Sequence, residues 1–320
     1  MNYKQYKTRL SLVLLAMIAS LSACTKEKTE ETKTANDAAT VNQTTGTSTV
    51  ANNTAVANGL AYVTSQDAGV SVIDLATMKV VKQIDVKAES PRGIGITDDG
   101  KKLIVATRGN DSISVIDTAT GEVLQQILIG KNPEFVRVRG NFAFVSSEPS
   151  AKGGPPPKPG AKDEEDDDDE EKIPAQIVVV DLEQGKKVRE ITGGPETEGI
   201  EFSNDGTKMI ITNEADNTVT VHNIETGELL KTISTHEHGD RPRGIKASPD
   251  GNNYIATLEY GNKFMVLDKD FNFVRTVDTG ETPYGVAYDA AGSNIYVASN
   301  KAKLLEVFDA KTFVKTKEVT

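Results

Sequence analysis

The chain has 320 residues, a formal net charge of −11, one cysteine and no tryptophan. Nine acidic residues lie in a single run, so the rest of the chain is close to neutral and offers no basic face for nucleic acid. A lone cysteine also excludes an internal disulfide, so packing and hydrogen bonds have to stabilise any folded domain.

The first 24 residues have the pattern of a targeting segment. Lys4, Lys7 and Arg9 precede an apolar stretch, Leu10 to Leu21, that is too short to span a bilayer as a mature helix. The sequence Leu-Ser-Ala-Cys that ends at Cys24 resembles the lipobox of bacterial lipoproteins. That resemblance implies a signal peptide cleaved before Cys24, lipidation of Cys24, and anchoring to the inner or outer membrane, facing the periplasm or the cell exterior.

Residues 25–56 are rich in Thr, Asn, Ala, Lys and Glu and contain few apolar side chains. A segment of this composition cannot bury enough apolar surface to offset the entropy lost on ordering. We therefore expect a disordered tether that holds the following domain, residues 57–320, away from the membrane.

One sequence pattern then returns at intervals of about 42 residues. Its most regular part is an apolar segment that ends in Asp or Asn. The six copies end at Asp74, Asp117, Asp181, Asn223, Asp268 and Asp309. A period of this length indicates one supersecondary unit per repeat, and each unit can bury its apolar surface only against its neighbours.

The unit from Pro91 to Ile129 shows what one repeat contains. Four short segments rich in β-branched residues are separated by turn signals such as Asp99-Gly100. No long helical pattern lies between them, which argues against a parallel α/β fold. The sequence therefore predicts an all-β fold, a β-propeller of four-stranded antiparallel blades with six repeats visible.

The ends of the repeat region leave the blade number open. Six second, third and fourth strands are found, but only five clear first strands, so a seven-bladed or truncated form is the alternative. Thr54 to Asn58 is a candidate for the missing first strand, because Ala57 to Val63 echoes Val138 to Val145. An open ring would leave a bare sheet edge.

Several segments resemble the YVTN family of β-propeller repeats. The segments Tyr62 to Ser65 and Tyr296 to Ser299 are versions of its signature strand, and Ser248 to Gly251 is its Ser-Pro-Asp-Gly turn. The resemblance extends from about residue 60 to the end. It implies the propeller fold, and its members include surface-layer and periplasmic proteins, so it leaves the function open.

In a propeller whose first strands run from top to bottom, two sets of loops share the top face. They are the loops that lead into first strands and the loops that join second to third strands. Residues at the start of the first strands should therefore surround the mouth of the central channel. The candidate ligand-binding residues are Arg92, Glu134, Glu198, Arg243 and Tyr284. The alternative interpretation is that they are ordinary turn residues with solvated charges.

Two of the three histidines, His236 and His238, lie with Asp240 in the loop that leads into the fifth repeat. A His-x-His pair beside a carboxylate can present ligands to Zn²⁺, Cu²⁺ or a haem iron. The alternative is a solvated polar loop, since short histidine-containing tracts are weak signals. No cofactor is therefore predicted, with a divalent metal or haem as the alternative.

The segment 148–174 interrupts the third repeat between its second and third strands. It contains several Gly and Pro residues and the acidic run Asp163 to Glu171, without the spacing of an EF-hand loop. Its composition predicts a disordered loop on the top face. Such a loop either improves solubility or has a specific role, as a docking arm for a basic partner, a weak Ca²⁺ site or a flap over the channel.

None of the familiar catalytic motifs is found, including a G-x-S-x-G elbow, an H-E-x-x-H helix or a P-loop. We therefore expect a binding or scaffold module that contacts a ligand or protein partner through its top face, rather than an enzyme. One alternative is a redox accessory protein that handles metal, haem or quinone through His236 and His238. Another is a propeller hydrolase or lactonase that uses acids of the top face.

Overall fold

The structure is a computed structural model that describes residues 59–77, 79–149, 173–289 and 291–320. The predicted signal peptide with Cys24, the tether and the acidic run Asp163 to Glu171 lie outside these residues, as does Thr54 to Asn58. Within the described ranges no helix is long and apolar enough to cross a bilayer.

Six antiparallel sheets, blades 1 to 6 in chain order, are arranged in a ring. Blade 1 has three described strands, β1 (Leu60–Ser65), β2 (Gly69–Asp74) and β3 (Lys79–Ile84). Blade 2 comprises β4 (Pro91–Ile96), β5 (Lys102–Thr107), β6 (Ser112–Asp117) and β7 (Val123–Leu128). Blade 3 comprises β8 (Pro133–Arg139), β9 (Phe142–Ser147), β10 (Gln176–Asp181) and β11 (Lys186–Thr192).

The remaining three blades repeat the same order. Blade 4 comprises β12 (Thr197–Phe202), β13 (Lys208–Asn213), β14 (Thr218–Asn223) and β15 (Leu229–Ser234). Blade 5 comprises β16 (Pro242–Ala247), β17 (Asn253–Leu258), β18 (Lys263–Asp268) and β19 (Phe273–Asp278). Blade 6 comprises β20 (Pro283–Tyr288), β21 (Asn294–Ser299), β22 (Leu304–Asp309) and β23 (Lys315–Val319).

The repeated Asp at the end of each third strand closes the turn that follows. Oδ1 of Asp117 accepts a hydrogen bond of 2.7 Å from the backbone N–H of Thr120, and Asp309 does the same for Thr312. These backbone N–H groups hold the pKa of both carboxyls below its usual value. A side chain that accepts a hydrogen bond from a backbone N–H two or three residues later favours a turn over a continued strand. This explains why the repeated apolar segment ends in Asp or Asn.

The same turn takes a left-handed residue, usually glycine. Gly121 has a φ of 77° and Gly227 a φ of 76°, whereas blades 5 and 6 place Phe271 and Phe313 there with φ of 61° and 60°. A phenylalanine in this conformation is costly and needs compensation. Both rings supply it by packing, Phe271 inside a buried cluster and Phe313 against Phe264.

Packing between blades stabilises the ring. The fourth residue of each second strand is fully buried in blades 2 to 6, and these residues are Val105, Val145, Ile211, Ala256 and Val297. Single hydrophobic clusters draw on two adjacent blades; one contains Ile104 of β5 together with Val136 of β8. These sheets are therefore covered on both faces, which explains why their third strands are continuous apolar runs in the sequence.

The sequence predictions for the fold are confirmed in class and in repeat number. The protein is an all-β, six-bladed propeller, so the seven-bladed alternative is wrong, and the described residues contain five first strands. In each complete blade the first strand lies innermost and pairs with the second. Successive first strands also contact one another, from β4 through β20.

Candidate ligand-binding site

The five predicted mouth residues occupy one equivalent position in the fold. Each is the second residue of an innermost strand, in blades 2 to 6 respectively, and they are Arg92, Glu134, Glu198, Arg243 and Tyr284. Because successive innermost strands pack against one another, these side chains are neighbours around the channel. The structure therefore brings together residues that lie almost 200 positions apart in the sequence.

A repeated hydrogen bond between blades fixes the backbone at this position. The hydroxyl of Thr64 in β1 donates to the carbonyl oxygen of Arg92 in the next blade at 2.6 Å. Thr257 of β17 donates in the same way to the carbonyl of Tyr284, also at 2.6 Å. Thr64 belongs to a signature strand that suggested the repeat family, and Thr257 is the equivalent fifth residue of its own second strand. The residue at this place therefore helps to position the mouth residues.

Blades 2 and 3 contribute an ion-paired group to the mouth. Nη2 of Arg92 lies 2.5 Å from Oε2 of Glu134, and Nη1 of Arg108 lies 3.3 Å from its Oε1. Burial raises the pKa of Glu134 and outweighs the two arginines, which favour its charged form. A carboxylate held between two guanidinium groups in a partly buried place is kept in a fixed orientation.

Arg243 is the centre of a second group, formed by blades 4, 5 and 6. Its Nη1 lies 3.0 Å from Glu198 and 2.7 Å from Glu214, and its Nε lies 2.6 Å from Glu259. Its guanidinium also covers the ring of Tyr284, 4.5 Å from the ring centroid. Burial opposes the charge of Arg243, but the carboxylates raise its pKa above the usual value. Arg243 therefore contacts three carboxylates and an aromatic ring at the mouth, which fixes the position of its guanidinium.

Glu148 is a further acid beside the mouth, and it has no cationic partner among the described residues. The residue is only 2% exposed. Oε1 accepts a hydrogen bond of 3.1 Å from the backbone N–H of Thr197, whereas the buried Oε2 has no hydrogen-bond partner. Burial, with help from the charges of Glu198 and Glu134, raises the pKa of Glu148 to about 9. The group is therefore a neutral carboxylic acid near pH 7, able to donate a hydrogen bond.

A cavity of about 320 Å³ opens between blades 1, 2, 3 and 4 at the mouth. Its charged lining residues are Arg92, Glu134 and Glu198, and Thr64, Gln66 and Thr197 add further polar groups. Two guanidinium nitrogens of Arg92 contact one oxygen of Glu134, which leaves donors for another acceptor. Oε1 of Glu198 pairs with Arg243, and the Glu198 side chain, which lines the cavity, is 32% exposed. The cavity thus offers a cationic donor and an anionic acceptor to one small molecule.

Deeper in the channel, a third charged group joins blades 3, 4 and 5. Both carboxylate oxygens of Glu201 accept from Nη2 of Arg137, at 2.8 and 3.0 Å, and Nζ of Lys246 lies 2.8 Å from Oε2. Burial would raise the pKa of Glu201, but Arg137 and Lys246 outweigh it and hold the pKa below its usual value. All three are fifth residues of innermost strands, one layer below the mouth.

The two histidines of the predicted metal site contact different partners. Nδ1 of His236 lies 2.8 Å from Oδ1 of Asp240. His238 instead stacks on Phe273, with 3.8 Å between the ring centroids and an interplanar angle of 3°. The described part of the chain contains no group of three or more His, Cys, Asp or Glu residues placed to hold a metal ion. The third histidine, His222, is buried within β14, as expected for a strand residue.

Several site residues were missed from the sequence. Four of them, Arg108, Glu148, Glu214 and Glu259, each directly follow a second strand. Arg108, Glu214 and Glu259 contact the predicted mouth residues, and Glu148 contacts the backbone of Thr197 next to Glu198. Alignment of the repeats would have shown a charged residue recurring at this position. Glu148 was assigned to the inserted loop, because its neighbours in sequence are loop residues and nothing local marks it as buried.

The comparisons with known proteins agree with the geometry of the fold. A model of the YNCE-like beta-propeller family matches residues 29–141. A structure of hydrazine synthase from Kuenenia stuttgartiensis aligns with a TM-score of 0.63 and 18% identity, over 78% of this chain and 73% of that chain. A functionally unknown protein from Desulfotomaculum acetoxidans aligns with a TM-score of 0.65 and 19% identity, over 81% and 79%.

No curated protein matches the chain. The family match and the two structures confirm the resemblance to a propeller-repeat family. Because the sequence identities are low, the two structural neighbours indicate the fold and not the activity.

Proposed function

We propose that the chain is a lipid-anchored, extracytoplasmic propeller that binds a small polar ligand at the mouth of its channel. The observation that carries this proposal is the cavity of about 320 Å³ lined by Arg92, Glu134 and Glu198. Its volume is at the lower end of the range typical of small-molecule sites. Pre-formed, partly buried charges bind a ligand without a large ordering cost.

The chemistry of the walls favours a ligand that carries both signs of charge. Arg92 can donate to a carboxylate or phosphate oxygen, and the planar fork of a guanidinium can pair with two oxygens of either group. Glu198 can accept from an ammonium group, with Glu148 as a neutral donor behind the Thr197 backbone. Free amino acids and short peptides have this pair of groups. They are therefore the class we propose.

A thermal-shift screen tests this proposal. The mature chain is heated with a panel of free amino acids and dipeptides, and a bound member should raise the melting temperature as its concentration exceeds the dissociation constant. The Arg92→Ala variant should lose the shift. Lys317→Ala, which alters an exposed residue of the outer strand β23, is the matched control and should keep it. A wild-type protein that responds to no member would contradict the ligand class.

The anchoring part of the proposal rests on the lipobox-like sequence before Cys24. In a bacterial host the wild-type protein should sediment with membranes, and Cys24→Ser should release it, because attachment requires the acylated cysteine. A signal-cleaved Cys24→Ser form that stays with the membrane would refute the lipid anchor. That result would not bear on the proposed ligand site.

A further inference from the structure

The channel carries an excess of positive charge one layer below the mouth. Arg137, Glu201 and Lys246 are the fifth residues of the innermost strands β8, β12 and β16, and we call these three residues the lower layer. The fifth residues of β4 and β20, Gly95 and Ala287, are uncharged. Among the described innermost strands, this level of the channel therefore holds two cations against one carboxylate.

The two cations are the accessible part of the lower layer. The side chains of Arg137 and Lys246 are 35% and 28% exposed, whereas that of Glu201 is only 5% exposed. These residues belong to innermost strands, with the other strands of each blade on their outer side, so their accessible surface lies on the channel side. A solute in the channel therefore meets the cations rather than the carboxylate behind them.

Arg137 keeps N–H donors that no described residue accepts. Its Nη2 makes both contacts to the carboxylate of Glu201, at 2.8 and 3.0 Å. A guanidinium also has donors at Nη1 and Nε, and Nε of Arg137 is buried without a hydrogen-bond partner. An unpaired donor of this kind costs free energy and calls for an acceptor. Glu201 therefore satisfies the guanidinium only in part.

Lys246 is placed to act together with Arg137 on one ligand. Its Nζ lies 2.8 Å from Oε2 of Glu201, which is an oxygen that Nη2 of Arg137 also contacts. Two cationic groups that contact the same oxygen are close enough to contact different oxygens of one small anion. An ammonium group has several N–H donors, so Nζ keeps donors for that anion after its contact with Glu201.

We propose that Arg137 and Lys246 form a second binding site, in the channel below the mouth, for a small tetrahedral oxyanion such as inorganic phosphate. The planar fork of a guanidinium pairs with two oxygens, and the ammonium group takes a third. A tetrahedral oxyanion supplies these three oxygens, whereas a carboxylate has only two. Inside a channel with protein walls, solvent screens the attraction less than at the open surface.

Glu201 has two opposing effects on this site. Its carboxylate holds both cations in place, but its negative charge opposes an incoming anion and occupies some of their donors. Glu201→Gln removes the charge and keeps the shape, so it should strengthen the binding of an oxyanion. The site is independent of the proposed amino-acid site, because none of the lower-layer residues lines the cavity at the mouth.

Calorimetric titration of the mature chain with inorganic phosphate, at pH 7 and constant ionic strength, tests the proposal. The wild-type protein should bind one phosphate per chain. Lys246→Met keeps an extended side chain but removes its charge, and it should weaken binding at least about tenfold. Glu201→Gln should tighten binding. Lys317→Met makes the same substitution on the outer strand β23, so it is the matched control and should bind like wild type.

The opposite signs expected for Lys246→Met and Glu201→Gln separate binding from stability, because a destabilised protein does not bind more tightly. A wild-type protein that binds no phosphate would overturn the proposal, as would equal affinities of wild type and Lys246→Met. Arg92→Ala, at the mouth, should leave phosphate binding unchanged. If Arg92→Ala abolished binding while Lys246→Met kept it, phosphate would bind at the mouth, and the site in the lower layer would be refuted.

Discussion

The hydroxyl of Thr212 donates a hydrogen bond of 2.5 Å to the backbone carbonyl of Arg243 in the next blade. Thr212 is fully buried, and Arg243 is the residue whose guanidinium contacts three carboxylates at the mouth. The same hydrogen bond joins Thr64 to Arg92 and Thr257 to Tyr284. A contact that stabilises the ring therefore also holds the backbone of the candidate site.

We predict that Thr212→Val destabilises the protein by about 1–2 kcal/mol, because the valine keeps the shape but leaves a carbonyl oxygen without its donor. Chemical denaturation with an unchanged slope would measure this loss. Thr220→Val serves as a control on the neighbouring strand, since Thr220 makes its side-chain contact within the same blade. Equal stability of Thr212→Val and wild type would show that the bond between blades contributes little.

The raised pKa of Glu148 leads us to predict a specific dependence of stability on pH. Its pKa is about 9 in the folded protein and near 4.5 when unfolded, so between these values the folded state binds more protons. Stability attributable to Glu148 therefore falls as pH rises, by up to about 1.4 kcal/mol per pH unit. Glu148→Gln should remove this slope and stabilise the protein at pH 8, while making little difference below pH 4.5.

Denaturation curves of wild type and Glu148→Gln from pH 4 to pH 9 measure the difference. Glutamine keeps an oxygen that can accept from the N–H of Thr197, so the packing is retained. Glu237→Gln, in an exposed loop, is the control and should leave the slope unchanged. Parallel curves for Glu148→Gln and wild type would mean that Glu148 is ionised in the folded protein.

For Glu201, which pairs with Arg137 and Lys246 deeper in the channel, we predict the opposite dependence of stability on pH. Because Arg137 and Lys246 lower the pKa of Glu201, its stabilising contribution is present above the ordinary carboxyl pKa and is lost as pH falls through the lowered value. Glu201→Gln should cost about 3 kcal/mol at pH 7, since two cations lose a buried partner. The cost should shrink below about pH 4.

An exposed ion pair is the appropriate comparison for Glu201. Glu318 lies 3.0 Å from Nζ of Lys315 on the outer strand, where solvent screens the interaction. Glu318→Gln should therefore change stability by less than about 0.5 kcal/mol. Thermal or chemical denaturation of both variants under the same conditions decides the matter, and similar small effects would indicate that Glu201 is not held as the structure places it.

Much of the fold was predictable because every repeat carries the same local sequence signals. The recurrent Asp marks a turn that its own carboxylate closes, and the apolar runs mark strands that are covered on both faces. The equivalent positions of Arg92, Glu134, Glu198, Arg243 and Tyr284 followed from counting within the repeat. The sequence also showed only five clear first strands, and five lie within the described residues.

The chemistry of the site was not predictable in the same way. Which carboxylate meets which guanidinium depends on the approach of neighbouring blades, and the sequence does not encode that distance locally. Glu148 and Glu259 both follow a second strand, yet Glu259 contacts Arg243 and Glu148 contacts a backbone N–H. The loop histidines show the converse, because His236 and His238 are only two positions apart in sequence but have different partners.

The most direct test of the proposed function is a calorimetric titration of the mature wild-type chain with the amino acid or dipeptide that shifts its melting temperature most. We predict one ligand per chain, with affinity reduced at least about tenfold by Arg92→Ala and by Glu198→Gln, because each removes a charged contact. Lys317→Ala should bind like wild type. Unchanged affinity in both Arg92→Ala and Glu198→Gln would place the ligand elsewhere and contradict a binding site at the mouth of the channel.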